Sequence, residues 1–306
     1  MSFRTVFIKN GERLKLQLDN LVIVKQGKEI RVPLSDIGTI LLEGDCTVIT
    51  TKLLAQLSRH QIAVVSCDNQ FLPCGIYLAM GQYHRTAKRN IWQSQWSDLL
   101  KQNAWTEVIR MKIANQMVLM EKLGIEQERV ALMQELLDNL MLGDATNREG
   151  HAAKVYFNSL FGMGFTREDA CYANICLNYG YSIIRAQVAR CVVALGLIPS
   201  LGIFHKNEYN AFNLVDDLME PFRPLMDQYV YQHIINDKED FLTYDKRLAI
   251  IEFLNHQILV KGKKEFIDSA IYDYVNSFIR AMEKEDFSKL NSISLENYLG
   301  AIKGEV

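Results

Sequence analysis

The chain has 306 residues, 49% apolar and 23% charged, which describes a folded protein with ample core in one large or two modest domains. Its formal charge of −2 excludes a global pull toward polyanions, so a nucleic acid would have to be held by a local basic patch or by metal. The most hydrophobic stretch, 181–199, is interrupted by Arg185 and Arg190, MSFRTVFIKN lacks the apolar core of a secretion signal, and six cysteines without CxxC spacing read as buried free thiols. These features predict a cytoplasmic protein with no membrane partner.

In chain order, FRTVFI, RLKLQL, LVIVK, KEIRVPL and DIGTILLEG follow strand periodicity. Turn signals separate them at Asn10-Gly11, Asp19-Asn20, Gln26-Gly27 and Glu43-Gly44. A short helix, TTKLLAQLSRH, a strand, IAVVSC, and a turn at Asp68-Asn69 follow. This spacing predicts a small β-sandwich or rolled sheet with one helix tucked in.

After Pro73 no proline occurs until Pro199, and the pattern turns helical. Helix formers dominate 84–141, while 167–195 is apolar nearly all round and predicts a central helix. Helical periods continue through 207–235, 244–256 and 265–283. The expected fold is α+β and multidomain. A β-sandwich-like domain over 1–80 and a linker over 81–90 precede a larger all-α domain over 91–306 that carries the site. The linker holds His84, Arg85, Lys88 and Arg89, which suit either a solvated helix start or a phosphate contact between domains. KGKK at 261–264 reads as a turn.

The stretch NREGHAAKVYF (147–157) places Glu149 on one helical face with Ala152/Ala153, Tyr156 and Leu160. Burying an unpaired carboxylate is costly, so something must compensate it. One candidate is a capping box, with Glu149 reaching back to the backbone amide of Thr146. In NAFNLVDDLMEPFRP (210–224), Leu214/Val215, Leu218 and Phe222 form an apolar stripe behind Ala211. Asn210, Asn213, Asp217 and Glu220 share the opposite face, and Pro221 sets Glu220 at a helix junction. That face is either a solvated acidic surface or a cation site. His205 emerges from the loop after the central helix, just before these acids. Glu149, His205 and Glu220 would offer two carboxylates and an imidazole, a set suited to Mn2+ or to Mg2+ with retained water rather than to zinc. From the residues alone the expectation is a metal-dependent enzyme.

NREGHAAKVYF, LNYGYSIIRAQVARCVVALGLIPSLGIFH and NLVDDLMEPFRP, with PLSDIGTILLEG and ITTKLLAQLSRHQIAVVSCD, together resemble the CRISPR adaptation integrase, CRISPR-associated protein one, in its type II form. The resemblance spans nearly the full length. It implies that Glu149, His205 and Glu220 are catalytic and bind Mg2+ or Mn2+, with Asp217 orienting a ligand or water. It also implies a homodimer that engages DNA and a dimer of CRISPR-associated protein two. In type II systems further partners follow, a DNA-end-binding accessory ring and the RNA-guided effector nuclease. The implied reaction joins the 3′-hydroxyl of a captured fragment to a CRISPR repeat by transesterification. Arg85, Lys88, Arg89, Arg148 and Lys206 are the expected DNA-binding residues from charge and position. A stand-alone structure-specific nuclease is the alternative enzyme, and a helical scaffold is the non-enzymatic one.

Overall fold

The structure, a computed structural model, describes residues 4–9, 13–44, 46–69, 71–81, 83–235 and 241–303. The expected Asn10-Gly11 turn lies outside the described residues. The N-terminal strands are β1 (Arg4–Lys9), β2 (Arg13–Gln17), β3 (Asn20–Lys25), β4 (Lys28–Pro33), β5 (Ile37–Glu43) and β6 (Val48–Ile49). Helix α1 (Thr51–Arg59) leads into β7 (Ala63–Cys67) and β8 (Pro73–Tyr77), the last strand having no counterpart in the sequence expectation.

Two four-stranded sheets result, ordered β1-β5-β7-β8 and β4-β3-β2-β6. In the first, β1, β5 and β7 run parallel and β8 closes the edge antiparallel. Leu14 and Leu21 of the second sheet meet Ile8, Ile40 and Val64 of the first, with Leu53 and Leu57 of α1 between them. The sandwich with a tucked helix is therefore present. Gln26-Gly27 makes a two-residue hairpin with both residues at positive φ. The expected Asp19-Asn20 turn is displaced by one residue. Gln17 pairs with Asn20, so Leu18-Asp19 form the loop, and the Asn20 side-chain amide donates to the Leu18 carbonyl.

Strand β5 is buried on both faces, which explains its uninterrupted apolar run. Ile40 and Val64 point into the sandwich, whereas Leu41 and Val65 belong to the core of the helical region. That region comprises α2 (Thr86–Ser94), α3 (Asp98–Lys122), α4 (Gln127–Asp138), α5 (Arg148–Phe161) and α6 (Tyr172–Ala194). It continues with α7 (Asn213–Met219), α8 (Arg223–His233), α9 (Tyr244–Glu252), α10 (Ile267–Lys284) and α11 (Leu295–Lys303). The predicted central helix is α6, buried along most of its length.

Four expectations need correction. The helical domain is not all-α, because β9 (Gln257–Val260) and β10 (Lys263–Phe266) pair as a hairpin through Lys261-Gly262. Four-residue strands are too short to display a period. Residues 207–212 precede α7 rather than extending it, and α2 already begins inside the expected linker. The thiols are free, yet only Cys176 and Cys191 are buried, while Cys46 and Cys74 are exposed. Among the described residues no helix is long and apolar enough to cross a membrane.

Candidate functional site

Glu149 sits in the first turn of α5, and its backbone amide is not left to a capping box. Asn147, at φ +52, accepts from Gly150 N–H as the N-cap, and the Asp144 carboxylate accepts from the Arg148 and Glu149 amides at 2.6 and 3.0 Å. The expected Thr146–Glu149 box is therefore replaced by Asp144 and Asn147, which frees the Glu149 side chain. Glu149 turns instead to Lys112 of α3, whose Nζ lies 2.6 Å from its Oε1.

Lys112 also lies 2.5 Å from Glu220 Oε2. One ammonium thus bridges the two carboxylates that the sequence pairs only by chemistry. Glu220 is reached because α7 gives way at Pro221 to a 3-10 turn over Glu220–Phe222, after which α8 begins. Its other oxygen meets Arg223 at 3.2 Å. The face bearing Asn213, Asp217 and Glu220 is buried, so the solvated-surface reading does not hold. Burial alone would raise the Glu220 carboxyl pKa, but Arg223 and Lys112 outweigh it and hold that carboxyl below the usual range. Likewise Lys112 resists the lowering effect of burial because Glu220 and Glu149 surround it, and its pKa stays above the ordinary lysine value.

The loop that carries His205 is fastened by Asp217, which is fully buried. Asp217 Oδ2 accepts from the Ile203 and Phe204 amides at 2.6 and 3.1 Å. Its Oδ1 accepts from His205 N–H at 3.1 Å and pairs with His205 Nδ1 at 2.6 Å. Donation from Nδ1–H fixes the tautomer and leaves Nε2 without a hydrogen-bond partner among the described residues. The Asp217 bond, against the opposing effect of burial, raises the imidazole pKa. Trp105 stacks on Phe204 at 4.3 Å and meets the His205 ring edge-on. Gly202 is required here, because a Cβ would fall 2.4 Å from the His205 carbonyl oxygen and 2.7 Å from Asp217 Oδ2.

Lys112, Glu149, His205, Asp216, Arg185 and Arg223 are among the residues lining a cavity of about 550 Å3. His205 also lines a second cavity of about 410 Å3 that includes Lys206. Among the described residues, no three His, Cys, Asp or Glu side chains converge as a finished ligand set. The donor chemistry nonetheless fits a hard divalent cation: two carboxylates drawn together by one bridging ammonium, with Arg223 on the second oxygen of Glu220, and an imidazole held by a buried aspartate.

A family model described as CRISPR associated protein Cas1 matches residues 6–264. The CRISPR-associated endonuclease Cas1 of Neisseria meningitidis serogroup C (strain 8013) is 39% identical over 279 residues, covering 91% of each chain. The chain belongs to the Cas1 family. Two solved structures share its fold at 18% identity. One is a Cas6-RT-Cas1–Cas2 complex, with a TM-score of 0.74 over 95% of this chain and 36% of that longer one. The other is a casposase bound to integration product, with a TM-score of 0.65 over 93% of this chain and 91% of that one.

Within this Cas1 chain the expected basic residues separate into different settings. Arg85, Lys88 and Lys206 are exposed. Arg89 is engaged internally, donating to the Leu195 carbonyl and the Tyr83 hydroxyl and pairing with Glu283 at 3.3 Å. Arg148 is half-buried beside Glu149. Sequence reasoning missed Lys112 and Arg223. The signal for Lys112 was a single cation on the apolar stripe Trp105, Val108/Ile109 and Leu119 of α3.

Proposed function

We propose that this Cas1-family chain is a metal-dependent DNA integrase of CRISPR adaptation with associated endonuclease activity. The observation that carries this reading is the convergence of Glu149 and Glu220 on one cationic centre, beside an imidazole oriented by Asp217. Its 39% identical relative, named an endonuclease, supports phosphodiester chemistry, and the fold it shares with the casposase suits joining.

The reacting 3′-hydroxyl loses its proton and forms a new O–P bond as the repeat's O3′–P bond breaks, and the departing O3′ takes up a proton to leave as a free 3′-hydroxyl. One phosphodiester replaces another and no ATP is needed. When bound by Glu149, His205 and Glu220, Mg2+ or Mn2+ would supply Lewis-acid stabilisation of the phosphoryl charge. Asp217 presents Nε2 of His205 in one tautomer, and Arg223 keeps Glu220 ionised. Lys112 bridges both acids, and Arg223 adds a second positive charge beside Glu220. DNA, a second copy of this chain and a CRISPR-associated protein two dimer are the proposed partners in the cytoplasm. The type II accessory ring and the effector nuclease complete that set.

The test incubates protein, a short duplex with free 3′-hydroxyls, supercoiled repeat DNA and Mg2+ or Mn2+. Covalently joined product is expected, lost at least about 100-fold in Glu149→Gln that is still folded at the assay temperature. Cleavage without joined product would favour the stand-alone nuclease.

A further inference from the structure

We propose that Arg167 is a DNA-phosphate-binding residue in the cavity that holds Glu149 and His205. Three guanidinium groups line this cavity, those of Arg167, Arg185 and Arg223. Two are matched by carboxylates: Arg223 by Glu220 at 3.2 Å, and Arg185 by Asp216 at 2.7 Å. Among the described residues Arg167 has no carboxylate within ion-pair distance.

Its side-chain hydrogen bonds go to the amide oxygens of Asn174 and Asn178, neutral acceptors one helical turn apart on α6. Asn174 is itself anchored, donating to the Thr166 and Asp169 carbonyls at 2.8 and 2.9 Å. The guanidinium also lies over the rings of Phe157 and Tyr181, 5.4 and 5.1 Å from their centroids. Such an arrangement fixes the cation in place and leaves its charge available. Asp227 shares the cavity and feels that charge from beyond ion-pair distance, but its oxygens are taken by the Tyr156 and Tyr181 hydroxyls.

A backbone phosphate entering beside Glu149 and Asp216 meets like charge, and a held cation without its own anion offsets that repulsion. A planar guanidinium on two amide oxygens keeps further N–H donors for non-bridging phosphate oxygens. Arg167 would thus position one strand of the DNA substrate and take no part in proton transfer. This assignment rests on the integrase reading only for the identity of the polyanion.

The experiment measures duplex-DNA affinity at fixed Mg2+ between 50 and 200 mM NaCl, together with KM and kcat for joining, in wild type, Arg167→Gln and Asn178→Asp. Asn178→Asp keeps the arginine but gives it a carboxylate, so it decides the matter should Arg167→Gln fail to fold. Both variants are expected to flatten the salt dependence by about one phosphate contact, near 0.9 in the log–log slope. Both should raise KM roughly ten-fold with kcat little changed. Wild-type slope and KM in folded Arg167→Gln, or in Asn178→Asp, would overturn the assignment. If wild type joins nothing while the variants still flatten the slope, the integrase reading fails and the phosphate site stands.

Discussion

Lys112 decides the electrostatics of the site. A lysine only 8% exposed in its side chain is held by Glu149 and Glu220, and each acid is held in turn by it. Removing one member of such a set leaves the others uncompensated, which costs more than the set contributes. Lys112→Met is therefore expected to destabilise the protein by about 3–5 kcal/mol in chelator. Urea unfolding with EDTA would measure this. A loss no larger than that of a surface lysine would show that the two acids do not need it. The same measurement with added Mn2+ should recover part of the loss, since a divalent cation can balance the same carboxylates.

At the scale of elements, the start of α5 shows how a first-turn carboxylate is left free of capping. Asp144 satisfies two first-turn amides and Asn147 a third, so Glu149 has no capping duty. Asp144→Ala should cost about 0.5–2 kcal/mol in thermal or urea unfolding. It should also slow joining, because Glu149 would be drawn toward the bare amides. Normal joining with that stability loss would separate the cap from the site.

The elements also show what could be read in advance. Strands β1 to β5 and β7, helix α1 and helix α6 were legible because their apolar periods are long or their turns carry Gly and Asn. Strand β8 was hidden by Pro73, Cys74 and Gly75, poor strand formers that pair only because β7 offers an edge. Asp217 and Glu220 could be singled out as acids in a run that holds no lysine, with Arg223 one turn beyond Glu220. Their true partners, His205 across a loop and Lys112 on another helix, are tertiary facts that no spacing encodes. The internal bonds of Arg89 were equally hidden, since exposed and partly buried members of a basic cluster look alike in sequence.

Across the whole molecule, buried polar links join the sheets to the helices. Glu43 at the end of β5 pairs with Arg247 of α9. Thr39 of β5 donates to Gln187 of α6 at 3.3 Å, and Gln187 donates to Asp268 of α10. Burial, only partly offset by Arg190 and Gln187, pushes the Asp268 carboxyl up to about 6. For an acid raised in this way the folded state holds its proton at higher pH than the unfolded chain. The associated stability is complete below the ordinary value of 3.8 and is lost as pH rises through about 6. Wild type should therefore gain up to roughly 3 kcal/mol relative to Asp268→Asn as pH falls from 7 to 4. Parallel stability curves for the two proteins would refute this.

Strand β5 has a last consequence, because it hides side chains on both of its faces. Severing the polypeptide ahead of residue 81 would strip Leu41 and Val65 from the larger core and uncover the flank of α6 that β7 and β8 pack against. A fragment over 81–306 should thus emerge sticky, oligomerising or precipitating during gel filtration where the intact polypeptide elutes cleanly. The N-terminal layer supplies side chains to one wall of the larger core.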